Sequence, residues 1–311
     1  MIDLQLQAIV EHARAAGMPD LADLPPEPCR RLYRQILAAA DVPPADVQVS
    51  QTTLEVEPGV EIPLRVYMPN MAGPHPLVVY FHGGGYVLGD LDGYDNVCRR
   101  LCNDAQAVVM SVGYRLAPEH PFPAAADDAW AALRWAAAHG ADYGADPARL
   151  AVAGDSAGAV LATAVAMMAR DAGAPAIRYQ ALVYPPAAGG ADGDFPSRQR
   201  HAQGPTLTAR TMDYFNRHCF GPQAKAPDFR GAPLAAANLS GLPPALVQVA
   251  ALDPLRDEAL AYAAALQQAG NLVSVVEYHG LAHGYISMAG RIDAARLALR
   301  QFALAIEEAL I

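Results

Sequence analysis

The chain has 311 residues, of which 53% are hydrophobic, and a formal net charge of −10 at neutral pH. That length and apolar content allow one large buried core with chain to spare for a covering segment. The acidic balance and the absence of basic clusters exclude nucleic acid and anionic membrane surfaces as expected partners.

From the N-terminus, residues 1–7 (MIDLQLQ) lack a charged stretch followed by an apolar core, so no signal peptide is expected there. No apolar run approaches the roughly 18 residues of a membrane span, and a cytoplasmic location is the expectation. Residues 1–45 read as helices interrupted at Pro25-Pro26-Glu27-Pro28. Residues 47–66 alternate like two antiparallel strands around Pro58-Gly59. Cys29, Cys98, Cys102 and Cys219 are scattered, which predicts reduced, mostly buried thiols and no metal or redox centre.

Residues 77–81 (LVVYF) read as a buried strand that ends in His82-Gly83-Gly84-Gly85. A glycine run in that position suits a loop whose bare backbone must approach a reacting carbonyl; a flexible turn is the alternative, disfavoured because the loop follows a strand and precedes the Gly-x-Ser-x-Gly turn in the expected order. A strand at 107–112 and a helix at 127–139, stopped by Gly140, follow. Residues 149–153 (RLAVA) read as another buried strand and 159–170 as an apolar helix. Between them lies Gly154-Asp155-Ser156-Ala157-Gly158, a Gly-x-Ser-x-Gly turn in the strand-to-helix context of a nucleophile elbow. With a further strand at 181–184, this alternation predicts an α/β fold: a mostly parallel sheet with helices on both faces.

A nucleophilic serine needs a base, and the base needs an orienting carboxylate. In hydrolases built around such an elbow the chain order is serine, acid, histidine. Only His279 and His283 follow every plausible acid. A strand at 272–278 would put His279 at its end and His283 in the loop beyond, where an imidazole can reach the serine, so His283 is the favoured base. Before that strand, residues 245–250 (ALVQVA) lead into Asp253-Pro254-Leu255-Arg256-Asp257-Glu258. Asp257 and Glu258 suit the first turn of a helix, whereas Asp253, held extended by its proline, suits the acid.

The motifs His82-Gly83-Gly84-Gly85, Gly154-Asp155-Ser156-Ala157-Gly158, Asp253-Pro254-Leu255-Arg256-Asp257-Glu258 and His283-Gly284-Tyr285 resemble those of the hormone-sensitive-lipase family of esterases, bacterial family IV. Tyr114-Arg115-Leu116-Ala117-Pro118-Glu119-His120 adds to the likeness. The resemblance implies an α/β-hydrolase fold and a carboxylesterase using Ser156 as nucleophile, Asp253 as acid and His283 as base. It implies an oxyanion hole in the Gly83, Gly84 and Gly85 run, chiefly Gly84 and Gly85, with Ala157. No metal or cofactor is required, and the expected partner is a small-molecule ester. His82 and Asp155 are expected to stabilise their loops. Where many members carry Phe after the His-Gly pair, Tyr285 would put a polar group near the base.

Four segments follow: an N-terminal helical cap piece (1–45), the core's first part (46–186), a cap insertion (187–230) and the core's second part (231–311). Leu207, Met212, Tyr214 and Phe215 in the insertion, with Leu255 and Tyr285, are the expected pocket lining. His201 and His218 lack companions for a metal site. A lipase or amidase would use the same triad. A non-catalytic small-molecule receptor of this fold is disfavoured because such receptors lack the triad histidine. Monomer and homodimer are both left open.

Overall fold

A computed structural model describes residues 1–311. Helices α1 (Leu4–Ala15) and α2 (Pro26–Ala40) come first. Asp3 caps α1 by accepting from the Gln5 and Leu6 amides, and the prolines that looked like a helix break instead start α2. Strands β1 (Gln48–Glu57), β2 (Val60–Met68) and β3 (His75–Phe81) follow, then α3 (Asp95–Ala105), β4 (Val108–Val112) and α4 (Ala124–His139). The elbow unit is β5 (Ala145–Asp155) and α5 (Ala157–Ala172), followed by β6 (Tyr179–Val183). The insertion supplies α6 (Pro196–Arg200) and α7 (Ala209–Phe220), before β7 (Ala245–Leu252), α8 (Arg256–Gln268), β8 (Val273–Ala282) and α9 (Asp293–Ala309).

The eight strands form one sheet in the order β1-β2-β4-β3-β5-β6-β7-β8, antiparallel as far as β4 and parallel beyond. The period-two alternation of strand side chains divides the core into two layers. Leu77, Val79 and Phe81 pack with α4, α5 and α8. Val78 and Tyr80 pack with α3 and α9 on the opposite face. All four cysteines are buried and unpaired, and burial pushes the Cys29 thiol up to about 11. No helix is long and apolar enough to cross a membrane.

At the carboxyl ends of the central strands the sheet brings the elbow and the glycine loop together. A Cβ on Gly158 would collide with the Phe81 carbonyl oxygen, and one on Gly154 would meet both that carbonyl and Gly158. Only glycine therefore lets the β5-to-α5 turn close against the end of β3. The Gly158→Ala variant is expected to lose roughly 3 kcal/mol or more of stability, seen as a melting point several degrees lower and reduced activity. A Gly158→Ala protein that melts and turns over like the parent would contradict this close approach.

Candidate active site

Ser156 stands between β5 and α5 with φ 52° and ψ −122°, a conformation that non-glycine residues seldom adopt. The strain is held by the turn itself: the Ser156 amide donates to the Val183 carbonyl at 2.8 Å, and the Ala159 amide donates back to the Ser156 carbonyl at 3.0 Å. The side chain is thereby lifted off the end of the sheet at the amino end of α5.

His283 lies just past β8, with its Nε2 2.9 Å from Ser156 Oγ and its Nδ1 2.7 Å from Asp253 Oδ2. Asp253 is fully buried directly after β7, and its other oxygen accepts the Leu255 amide at 2.8 Å. Sequence reasoning ended β8 too early. The strand continues through His279, whose side chain is 84% exposed, because a bulge beyond Ala250 lets Leu252 pair with Ala282. His279 therefore points to solvent, away from the serine.

The glycine loop turns through Gly84 at φ 119°, where a Cβ would strike the Leu88 carbonyl. The amides of Gly84, Gly85 and Ala157 donate to no protein acceptor. Gly83 is different and corrects the expectation: its amide donates to Asp155 Oδ1 at 2.8 Å, so it is already spent on the fold. Asp155 also accepts from Tyr80 at 2.8 Å and from Tyr94 and Tyr184 at 3.3 Å. Burial pushes its carboxyl up to about 6 against these donors. Tyr33 on α2 extends the cluster, its hydroxyl 3.1 Å from that of Tyr94. Neither the convergence of Tyr80, Tyr94 and Tyr184 on one carboxylate nor the addition of Tyr33 behind Tyr94 could be read from spacing.

His82 is buried, stacks on Tyr114 at 4.3 Å and has its Nδ1 2.7 Å from the Gly83 carbonyl oxygen. Burial lowers it to about 4, so it stays neutral and braces the loop.

A cavity of about 1030 Å³ lies over Ser156 and His283. Its floor includes Gly84, Gly85 and Ala157; Ile9, Tyr33 and Leu37 line it from the N-terminal helices. Leu207, Met212 and Phe215 line it from the insertion, and Leu255 from the loop between β7 and α8. Two expected lining residues are elsewhere. Tyr214 faces away, donating its hydroxyl to the Leu24 carbonyl at 3.0 Å and so tying α7 to the N-terminal segment. Tyr285 is buried in the turn after His283, donating to Gln248 Oε1 at 3.0 Å and meeting the Tyr184 ring edge-on at 5.1 Å. The turn after His283 packs into the core, which carries Tyr285 inward. Thr206 was missed: its hydroxyl donates to the His283 carbonyl at 2.7 Å. No group of three or more His, Cys, Asp or Glu side chains is placed to hold a metal ion.

A serine on a strained strand-to-helix turn, backed by an imidazole and a buried carboxylate on an eight-stranded, mostly parallel sheet, defines the α/β-hydrolase class. A family described as the alpha/beta hydrolase fold matches residues 78–287. The chain belongs to that family, in its hormone-sensitive-lipase-like group. It is 42% identical over 294 residues to esterase LipI of Mycobacterium tuberculosis, covering 93% of this chain and 87% of the relative. It is 37% identical over 296 residues to an ethyl acetate hydrolase of Pseudomonas putida, covering 92% of each. Among solved structures, a hyperthermophilic esterase from the archaeon Pyrobaculum calidifontis superposes with a TM-score of 0.92 at 39% identity, covering 99% of this chain and 98% of that one.

Proposed function

We propose that this protein hydrolyses short- to medium-chain acyl esters through an acyl-enzyme on Ser156, with His283 as base and Asp253 as its orienting acid. The coarser statement, that it is a carboxylic ester hydrolase of the α/β-hydrolase family, follows from the family and from relatives bearing esterase names. The observation that carries the finer reading is the unbroken run of contacts from Asp253 to His283 Nδ1 and from Nε2 to Ser156 Oγ.

In this mechanism His283 Nε2 takes the hydroxyl proton as Ser156 Oγ bonds to the ester carbonyl carbon. The carbonyl oxygen becomes an oxyanion, for which the unpartnered amides of Gly84, Gly85 and Ala157 are available donors. The amino end of α5 adds favourable potential there. The tetrahedral centre collapses, the C–O bond to the alcohol breaks, and His283 returns its proton to the leaving oxygen. Water then repeats the cycle on the acyl-enzyme, releasing the acid and regenerating Ser156. Asp253 keeps the Nδ1 proton in place, so that Nε2 is the free acceptor at the start of each half.

We assign the cap role to segments 1–45 and 187–230, because both supply apolar walls to the cavity. This lining bounds the acyl chain. Each methylene it buries contributes about 0.8 kcal/mol, so kcat/KM should rise with acyl length until the space is filled. The relative named an ethyl acetate hydrolase supports the short end of this range. A p-nitrophenyl ester series from acetate to palmitate is expected to peak at roughly C4 to C8 and then to fall about tenfold or more by palmitate. Equal turnover of palmitate esters and emulsified triolein would replace this reading with a lipase. Turnover of anilides but not esters would replace it with an amidase.

A further inference from the structure

Helix α8 begins directly after the acid loop, where the N-cap position is Leu255, which has no side-chain oxygen; the Asp253 carbonyl accepts the Arg256 amide at 3.2 Å, but no flanking residue accepts the Asp257 amide. The first amides of a helix need acceptors, and an aspartate just before the helix is among the strongest caps. Asp253 sits in that vicinity, yet one of its oxygens takes the Leu255 amide and the other faces His283. The missing cap comes from a distant part of the chain. Ser197, in α6 of the insertion, accepts the Asp257 amide on its Oγ at 3.1 Å. The same hydroxyl donates to the Pro254 carbonyl at 2.8 Å, and the Ser197 amide donates to Asp257 Oδ2 at 2.7 Å. Next to it, Arg198 Nη2 donates to the fully buried Glu258 at 2.5 Å.

We infer that Ser197 is a positioning residue for catalysis: by capping α8 from the insertion, it leaves the Asp253 carboxylate free to hold His283. The inference rests on the triad reading given above. Ser197 is wholly buried, and its amide and hydroxyl are engaged on Pro254 and on Asp257 in the first turn of α8. Burial raises the Asp257 carboxyl, but the Ser197 amide and Arg256 outweigh it and hold the group below its ordinary value. The two halves of the clasp thus favour one another. Without the hydroxyl, the Asp257 amide and the Pro254 carbonyl lose their partner together. Asp253, whose Oδ1 already takes the Leu255 amide at this end of the helix, is then drawn toward the free amide, and turning costs it the contact with His283.

The test compares Ser197→Ala and Ser197→Thr with the parent enzyme on p-nitrophenyl butyrate. Ser197→Ala should lower kcat by about ten- to a hundredfold with KM nearly unchanged, because the misplacement affects the reacting groups and not the cavity walls. The downfield proton resonance expected of the His283–Asp253 hydrogen bond should broaden or vanish in this variant. Ser197→Thr, which keeps the hydroxyl, should recover most of kcat per folded molecule even if its added methyl lowers the melting point. The inference is overturned if folded Ser197→Ala keeps the parent kcat, if its downfield resonance persists unchanged, or if Ser197→Thr is as slow as Ser197→Ala. A parent enzyme with no esterase activity at all would instead remove the triad reading on which the inference stands.

Discussion

Replacing Ser156 with alanine should lower kcat by a factor on the order of 10⁴ to 10⁶ while leaving the protein folded. Alanine removes only the Oγ, whose single hydrogen-bond partner is His283 Nε2. The backbone contacts that hold the elbow, above all the bond from the residue-156 amide to Val183, do not depend on that oxygen. Alanine is as strained as serine at φ 52°, so no relief of the turn should confuse the result. The activity that remains would come from substrate binding and the oxyanion amides. Steady-state turnover of p-nitrophenyl butyrate and a melting curve check both halves; parent-like kcat would remove Ser156 from the chemistry.

The second large effect separates two aspartates four residues apart. Asp253→Asn should cost about 10³- to 10⁴-fold in kcat, because an amide nitrogen facing His283 Nδ1 favours the tautomer whose Nε2 already carries a proton. That nitrogen could no longer accept the Ser156 proton. Asp257→Asn should stay within a few-fold of the parent. Its side-chain oxygen can still accept the Ser197 amide, and the ion pair it loses, with Arg256 at 2.7 Å, is partly exposed. Comparable losses in the two variants would mean that the acid has been assigned to the wrong carboxylate.

The features legible in the sequence are those encoded locally. The elbow is signalled by its two glycines and by the switch from strand to helix period on either side. The strand runs at β4 and β6, the 77–81 run of β3 and the 149–153 run inside the longer β5 are short and largely apolar. Errors arose where a partner distant in sequence decides the outcome. β8 runs on past His279 because β7 remains beside it, and the bulge that keeps them in step has no sequence mark. Gly83 looked the same as Gly84 and Gly85 in the sequence; its amide is taken by Asp155, 72 residues away in the chain. Tyr214 and Phe215 are neighbours on α7, yet one points to Leu24 and the other into the cavity, a difference of about 100° around a helix. Ser197 carried no motif at all. Its role arises only where the insertion folds back onto the acid loop, and a trans cap leaves no pattern at fixed spacing.

In the proposed mechanism one serine, raised by the elbow and activated by His283, carries the acyl group. A stoichiometric phosphonate ester, followed by mass mapping of the tryptic peptides, tests it most directly, since such reagents mimic the tetrahedral stage and stay bonded to the nucleophile. The peptide spanning residues 150–170 contains a single serine, Ser156. One equivalent of reagent should abolish esterase activity and add its phosphonyl mass to that peptide alone. Complete inactivation with the added mass on any other peptide, or full activity with Ser156 modified, would contradict the account.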